Sequence, residues 1–108
     1  MTKKPSDQEQ ARAGSPAPWT FLSNHGHVLL CLAEDPESTL RSVSDRVGIT
    51  ERSVQRIVAD LEAGGFLQRE REGARNRYQI DGSIPLRHEI EQHCTIGDLI
   101  AMVISRKK

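Results

Sequence analysis

The stretch 39–80, TLRSVSDRVGITERSVQRIVADLEAGGFLQREREGARNRYQI, constrains the fold of this chain more than any other part of it. Leu40, Val43 and Val47 recur at helical spacing, and Val54, Ile57, Val58 and Leu61 do the same further on. Two short helices follow, each with one apolar face. Between them Gly48 suits the positive φ that ends a helix, Ile49 supplies an apolar plug, and Thr50 is a good N-cap for the second helix. Thr39 is placed to cap the first, its hydroxyl accepting from a backbone N–H that the helix leaves without a partner.

A short helix, a Gly-containing turn and a second helix make a helix-turn-helix, whose second helix enters the major groove with its N-terminal residues on base edges. The second helix is expected over 50–63. With Val54, Ile57, Val58 and Leu61 turned inward, Glu51, Arg52, Ser53, Gln55 and Arg56 are left outward near its start. Arg matches guanine O6 and N7, Gln matches adenine, Ser is adaptable and Glu can accept from cytosine N4. The plainer reading of the same residues is a solvated helix face.

The residues that follow favour the first reading. Gly64-Gly65 stops the helix, and 66–72 leads through Gly73-Ala74-Arg75-Asn76 to a return strand, Arg77-Tyr78-Gln79-Ile80. This is expected to be a wing over 66–80. Arg69, Arg71, Arg75 and Arg77 against Glu70 and Glu72 give it a local surplus of positive charge, although the formal net charge of the chain is zero. Arginine near a wing tip can enter a minor groove or hold phosphates. Tyr78 and Ile80 share a strand face and are expected to pack inward.

On the run VGITERSVQRIVADLEAGGFLQRE and the return strand RNRY, the sequence resembles winged helix-turn-helix transcriptional regulators of the MarR and ArsR type, over roughly 24–80. The resemblance implies a homodimer on a pseudo-palindromic double-stranded DNA site. It also implies that Thr50, Arg52, Ser53, Gln55 and Arg56 face the major groove, with Arg75 and Arg77 on the wing, and Asn76 between them is expected to bind DNA as well. The chain departs from MarR-type proteins in its arms, since little N-terminal arm precedes the domain and the C-terminal one is short.

Residues 1–18, rich in Pro, Ser, Ala, Gln and charge, are expected to be a disordered tail. Trp19, Phe21 and Leu22 then precede Ser23 or Asn24, either able to cap a helix carrying Val28, Leu29, Leu32 and Ala33 up to Asp35-Pro36. The Trp19–Leu22 piece suits a short strand or an arm lying on a partner. The domain is thus expected over 19–80, an irregular connector over 81–94, and a last helix with a basic end over 95–108. Thr95 can cap that helix, with Asp98 at the capping-box position. Because it is apolar nearly all round and three helices already close the winged core, Ile96, Leu99, Ile100 and Val103 are expected at a dimer interface. Folding back onto its own domain is the alternative.

The fold class expected is therefore mainly α with a small β-hairpin wing, a winged helix-turn-helix plus a C-terminal dimerisation helix. His25, His27, Cys31, His88, His93 and Cys94 are metal-ligand types, but only His27 and Cys31 share a helical face, so no metal or other cofactor is expected. No phosphate-cradling Gly loop, serine elbow or paired carboxylates point to an enzyme. Without an apolar run long enough to span a bilayer, a cytoplasmic protein is expected. Two other functions stay open, a winged-helix module binding protein or RNA, and an ArsR-like regulator responding to metal or redox state.

Overall fold

Side-chain caps set the helix boundaries in the computed structural model, which describes residues 19–105. The expected 1–18 tail and the basic end at 106–108 lie outside the described residues. Helix α1 spans Asn24–Glu34, with the Ser23 hydroxyl accepting from Gly26 N–H. Helix α2 spans Leu40–Val47, capped by Thr39 on Ser42 N–H, and α3 spans Glu51–Ala63, capped by Thr50 on Ser53 N–H. Each such cap contributes about 1 kcal/mol. The turn between α2 and α3 rests on Gly48, whose φ of 85° lies in the left-handed region, where a side chain costs roughly 1–2 kcal/mol.

The end of α3 is a Schellman motif. Phe66 N–H donates back to Leu61 C=O and Gly65 N–H to Glu62 C=O, with Gly65 at φ 81°. Phe66 and Leu61 are both buried, so the same motif turns the chain and folds an apolar side chain into the core. Strand β1, Leu67–Glu72, then pairs antiparallel with β2, Arg75–Ile80, across the two-residue turn Gly73-Ala74. Tyr78 is 3% exposed and Ile80 half-buried, as strand alternation predicts. The hairpin is fixed to the helices by Tyr78 N–H donating to Pro36 C=O, in the loop between α1 and α2, at 2.9 Å.

Val28 and Leu32 of α1, Val43 of α2 and Val54 of α3 are wholly shielded from solvent and form the centre of the three-helix core. Removing a side chain of Leu32's size from such a site costs about 2–5 kcal/mol.

The last helix, α4, spans Ile96–Ile104 and carries the expected capping box, with Thr95 and Asp98 each accepting from the other's backbone N–H. Its placement differs from expectation. Ile96 is 6% exposed and belongs to the core of its own domain, and Ile100 packs against that core. Three helices do not close the core, because α4 lies along α1 as a fourth wall. The expected connector 81–94 has turns but no helix or strand, and it is tied off by a bridge between Pro85 and Thr95. The first turn of α4 docks through the backbone, Gly97 N–H to Gly82 C=O at 2.9 Å and Ile96 N–H to Ile84 C=O at 2.8 Å. A Cβ at Gly97 would lie 3.0 Å from the Gly82 carbonyl oxygen, so glycine is what permits this approach.

Candidate nucleic-acid interface

The outward start of α3 follows from its inward face. Val54, Ile57, Val58 and Leu61 are buried, which leaves Arg52, Gln55 and Arg56 exposed on the opposite side of the first two turns. None of these three side chains has a hydrogen-bonding or ion-pair partner among the described residues. Their donors are directed at solvent, on a helix held in place by its core face. Glu51, in the first turn, complements the positive end of the helix dipole.

Thr50 and Ser53 are differently placed. Thr50 Oγ1 accepts from Ser53 N–H and donates to Ser53 Oγ, both at 3.0 Å. The Thr50 hydroxyl is thus committed to the cap. The Ser53 hydroxyl, which accepts in that pair, keeps its own hydrogen to donate, although the residue is half-buried. The arrangement fixes the first turn of α3, on which Arg52, Gln55 and Arg56 depend for direction.

The wing holds a correction to its apparent charge. Arg77 Nη1 lies 2.7 Å from Glu37 Oε2 and Arg75 Nη1 3.3 Å from Glu37 Oε1, so one carboxylate spans both guanidinium groups. Arg69 pairs with Glu62 at 3.3 Å, and Arg71 Nε donates to the Gly73 carbonyl. With Glu37 and Glu62 added to Glu70 and Glu72, the four wing arginines face four carboxylates, and the local surplus disappears. Asn76, opposite Arg71 in the hairpin, is half-buried on the same strand face as Tyr78 and points away from the face that carries Arg75 and Arg77.

Glu37 has no helical or strand pattern to single it out, being the residue after Asp35-Pro36. Its role follows from the Tyr78–Pro36 hydrogen bond, which lays the loop beside β2. A second long-range pair, His25 Nε2 to Asp60 Oδ2 at 2.8 Å, ties the start of α1 to α3.

The residues expected to lie between subunits divide. Leu99, Ile100 and Val103 are half-buried and Met102 is 58% exposed, whereas Ile96 has little surface left to offer. Leu99 lines an open groove of about 740 Å³ with Phe21, Leu22, Leu61, Phe66 and Leu86. Phe21, which lines that groove, meets Trp19 edge-on, and neither residue belongs to a strand. Towards the end of α4, Val103 and Ile104 line a smaller crevice with His27, Cys31 and Arg46. Burial pushes the Cys31 thiol up, with nearby Arg46 acting the other way, so it is held protonated and is a poor ligand. Among the described residues no three His, Cys, Asp or Glu side chains are grouped to hold a metal ion. Nor, among them, is any helix long and apolar enough to cross a membrane.

Residues 23–68 match a protein family described as winged helix-turn-helix DNA-binding. No curated protein sequence matches the chain. Among solved structures, the chain is similar to the PcaV transcriptional regulator from Streptomyces coelicolor in complex with its natural ligand. The TM-score is 0.52 at 20% identity, over 94% of this chain and 72% of that one. A second structure of PcaV gives a TM-score of 0.48 at 23% identity, and the match covers 70% of this chain but only 57% of that chain's length. IscR from T. potens matches with a TM-score of 0.55 at 16% identity, over 82% of this chain and 92% of that one. At such identities the likeness is one of fold. Three helices, a glycine turn, a two-stranded hairpin and the family match together make this part of the chain a winged helix-turn-helix domain.

Proposed function

We propose that the chain is a sequence-specific transcriptional regulator of MarR-like type that binds double-stranded DNA as a homodimer in the cytoplasm. Arg52, Gln55 and Arg56, with the Ser53 hydroxyl, read base edges in the major groove, and Thr50 holds the helix end that presents them. Arg75 and Arg77 meet the phosphate backbone or minor groove beside it. Asn76 is assigned a supporting place in the wing. The observation that carries this reading is the outward start of α3, where two arginines and a glutamine are exposed without an internal partner on a rigidly capped helix. Water satisfies such donors on any exposed helix face, and what favours base reading is their place at the start of the second helix of a helix-turn-helix.

Dimerisation is assigned to α4, through the half-buried Leu99, Ile100 and Val103 and the exposed Met102. This extends the apolar surface of a small domain and sets two recognition helices at a fixed spacing. The DNA-binding domain is assigned to 19–80, with 81–94 as connector and the helix beginning after Thr95 as the dimerisation element.

Selection of bound duplexes from a random library, paired with a mass measurement of the free protein, tests both parts. The expected result is an enriched inverted repeat and a dimer mass. Recovery of no motif above the unselected pool at moderate salt would instead support a winged-helix module that binds protein or RNA.

A further inference from the structure

We propose that Glu37 is a built-in competitor for DNA phosphate at the wing, an autoinhibitory contact that holds Arg75 and Arg77 until a duplex displaces it. The inference rests on the DNA-binding reading above and adds to it a residue outside both the recognition helix and the hairpin.

The geometry supplies the argument. Glu37 places one carboxylate oxygen on each of two guanidinium groups, Oε1 to Arg75 and Oε2 to Arg77. A phosphodiester also presents two charged oxygens on one centre, and arginine binds carboxylate and phosphate through the same planar donors. Residues 75 and 77 are two apart on β2, so their side chains leave the same face of the strand. The carboxylate therefore occupies the position from which a backbone phosphate would engage both. The loop carrying it is fixed to the same strand by the Tyr78–Pro36 hydrogen bond, which holds the competitor beside the two arginines.

Magnitude decides that this contact restrains and does not block. The side chains of Arg75 and Arg77 are 67% and 41% exposed and that of Glu37 39% exposed, and exposed pairs of this kind are weak and screened by salt. A multiply charged duplex displaces the carboxylate, at the loss of part of the phosphate attraction. The consequence falls on sequence-independent affinity, because wing contacts to phosphate carry no base information. The wing then adds little to binding at random sites, and a larger share of the affinity is left to base reading by α3.

The test is duplex binding by Glu37→Gln, measured on a selected site and on a random-sequence duplex across a salt series, in the parent background and in Arg75→Ala/Arg77→Ala. We expect Glu37→Gln to bind the random duplex about two- to tenfold more tightly at low salt. Its log K against log[salt] slope should steepen by about one. Both gains should vanish in the double-arginine background, whereas a gain that persists there is long-range charge alone and overturns the proposal. Unchanged or weaker binding by Glu37→Gln also overturns it, and weaker binding assigns Glu37 to ordering the wing for DNA. If the double-arginine variant binds more weakly than the parent while Glu37→Gln matches the parent, the DNA-binding reading stands and only the competitor falls. If neither parent nor variant binds any duplex, the DNA-binding reading fails and takes this one with it.

Discussion

The start of α3 and the hairpin wing both present arginine, yet their arginines stand in opposite circumstances. Arg52 and Arg56 are exposed on a helix whose other face is locked into the core, and neither has a partner among the described residues. Arg69, Arg71, Arg75 and Arg77 each have an intramolecular acceptor within 3.3 Å. Counting arginines in a sequence treats the two groups alike. What separates them is whether binding a new acceptor first requires giving up an old one. A guanidinium without an internal partner gives up only water to reach a base edge, whereas a paired one must also release a carboxylate or carbonyl.

That contrast is sharpest in binding. Arg52→Ala or Arg56→Ala should each weaken binding to a selected site by about 1–3 kcal/mol and relax preference at one base position. Fluorescence anisotropy with single-base variants of the site checks this, and an unchanged preference in both variants would break the comparison.

The caps make the α3 side of the comparison rigid, and they can be loosened separately. Thr50→Ala should lower stability by about 1 kcal/mol, read as a fall in the thermal midpoint, and should weaken site binding through loss of the cap on Ser53. Gly97→Ala is the matching test away from the DNA. Its Cβ would meet the Gly82 carbonyl at 3.0 Å, so the first turn of α4 must shift. A lowered midpoint is expected, with the preference for each base unaltered in the molecules that remain folded.

The wing effects should be smaller. Arg77→Ala is expected to weaken binding by under about 1 kcal/mol, evenly across sequences, since its guanidinium is already held at 2.7 Å by Glu37. A loss as large as that of Arg56→Ala would erase the distinction between the two regions.

The smallest effect concerns the chain just after the wing. The Asp81 carboxyl is held below the usual carboxylate range by hydrogen bonds from the Ser83 hydroxyl and N–H. A carboxyl depressed in the folded state contributes stability that is present above its unfolded value of about 3.9 and is lost as pH falls through the lower folded value. Thermal melts of the parent should therefore lose slightly more midpoint between about pH 5 and pH 3 than those of Asp81→Asn. Equal acid sensitivity would remove this contribution.

How much of this was legible in the sequence depends on the distance between the residues concerned. Thr39, Gly48, Thr50 and the Thr95–Asp98 capping box act on backbone groups four residues away or fewer, so their roles could be read directly. The buried face of α3 was legible for the same reason, because helical periodicity is local. Glu37 was not, since its partners lie 38 and 40 residues on, and only the packing of the loop against β2 brings them together. The His25–Asp60 pair spans 35 residues and was equally hidden. Nor could an apolar α4 announce which side it would bury. Ile96 enters its own core because Gly97 permits a close backbone approach to Gly82, a contact that hydrophobic pattern does not encode.

The proposed division between a base-reading helix and a restrained wing is tested most directly by comparing the sites selected from one random duplex library by the parent, Arg56→Ala and Arg75→Ala. The account predicts that the parent and Arg75→Ala enrich the same motif, while Arg56→Ala loses information at one position in each half-site. Loss of motif in Arg75→Ala with an intact motif in Arg56→Ala would contradict it.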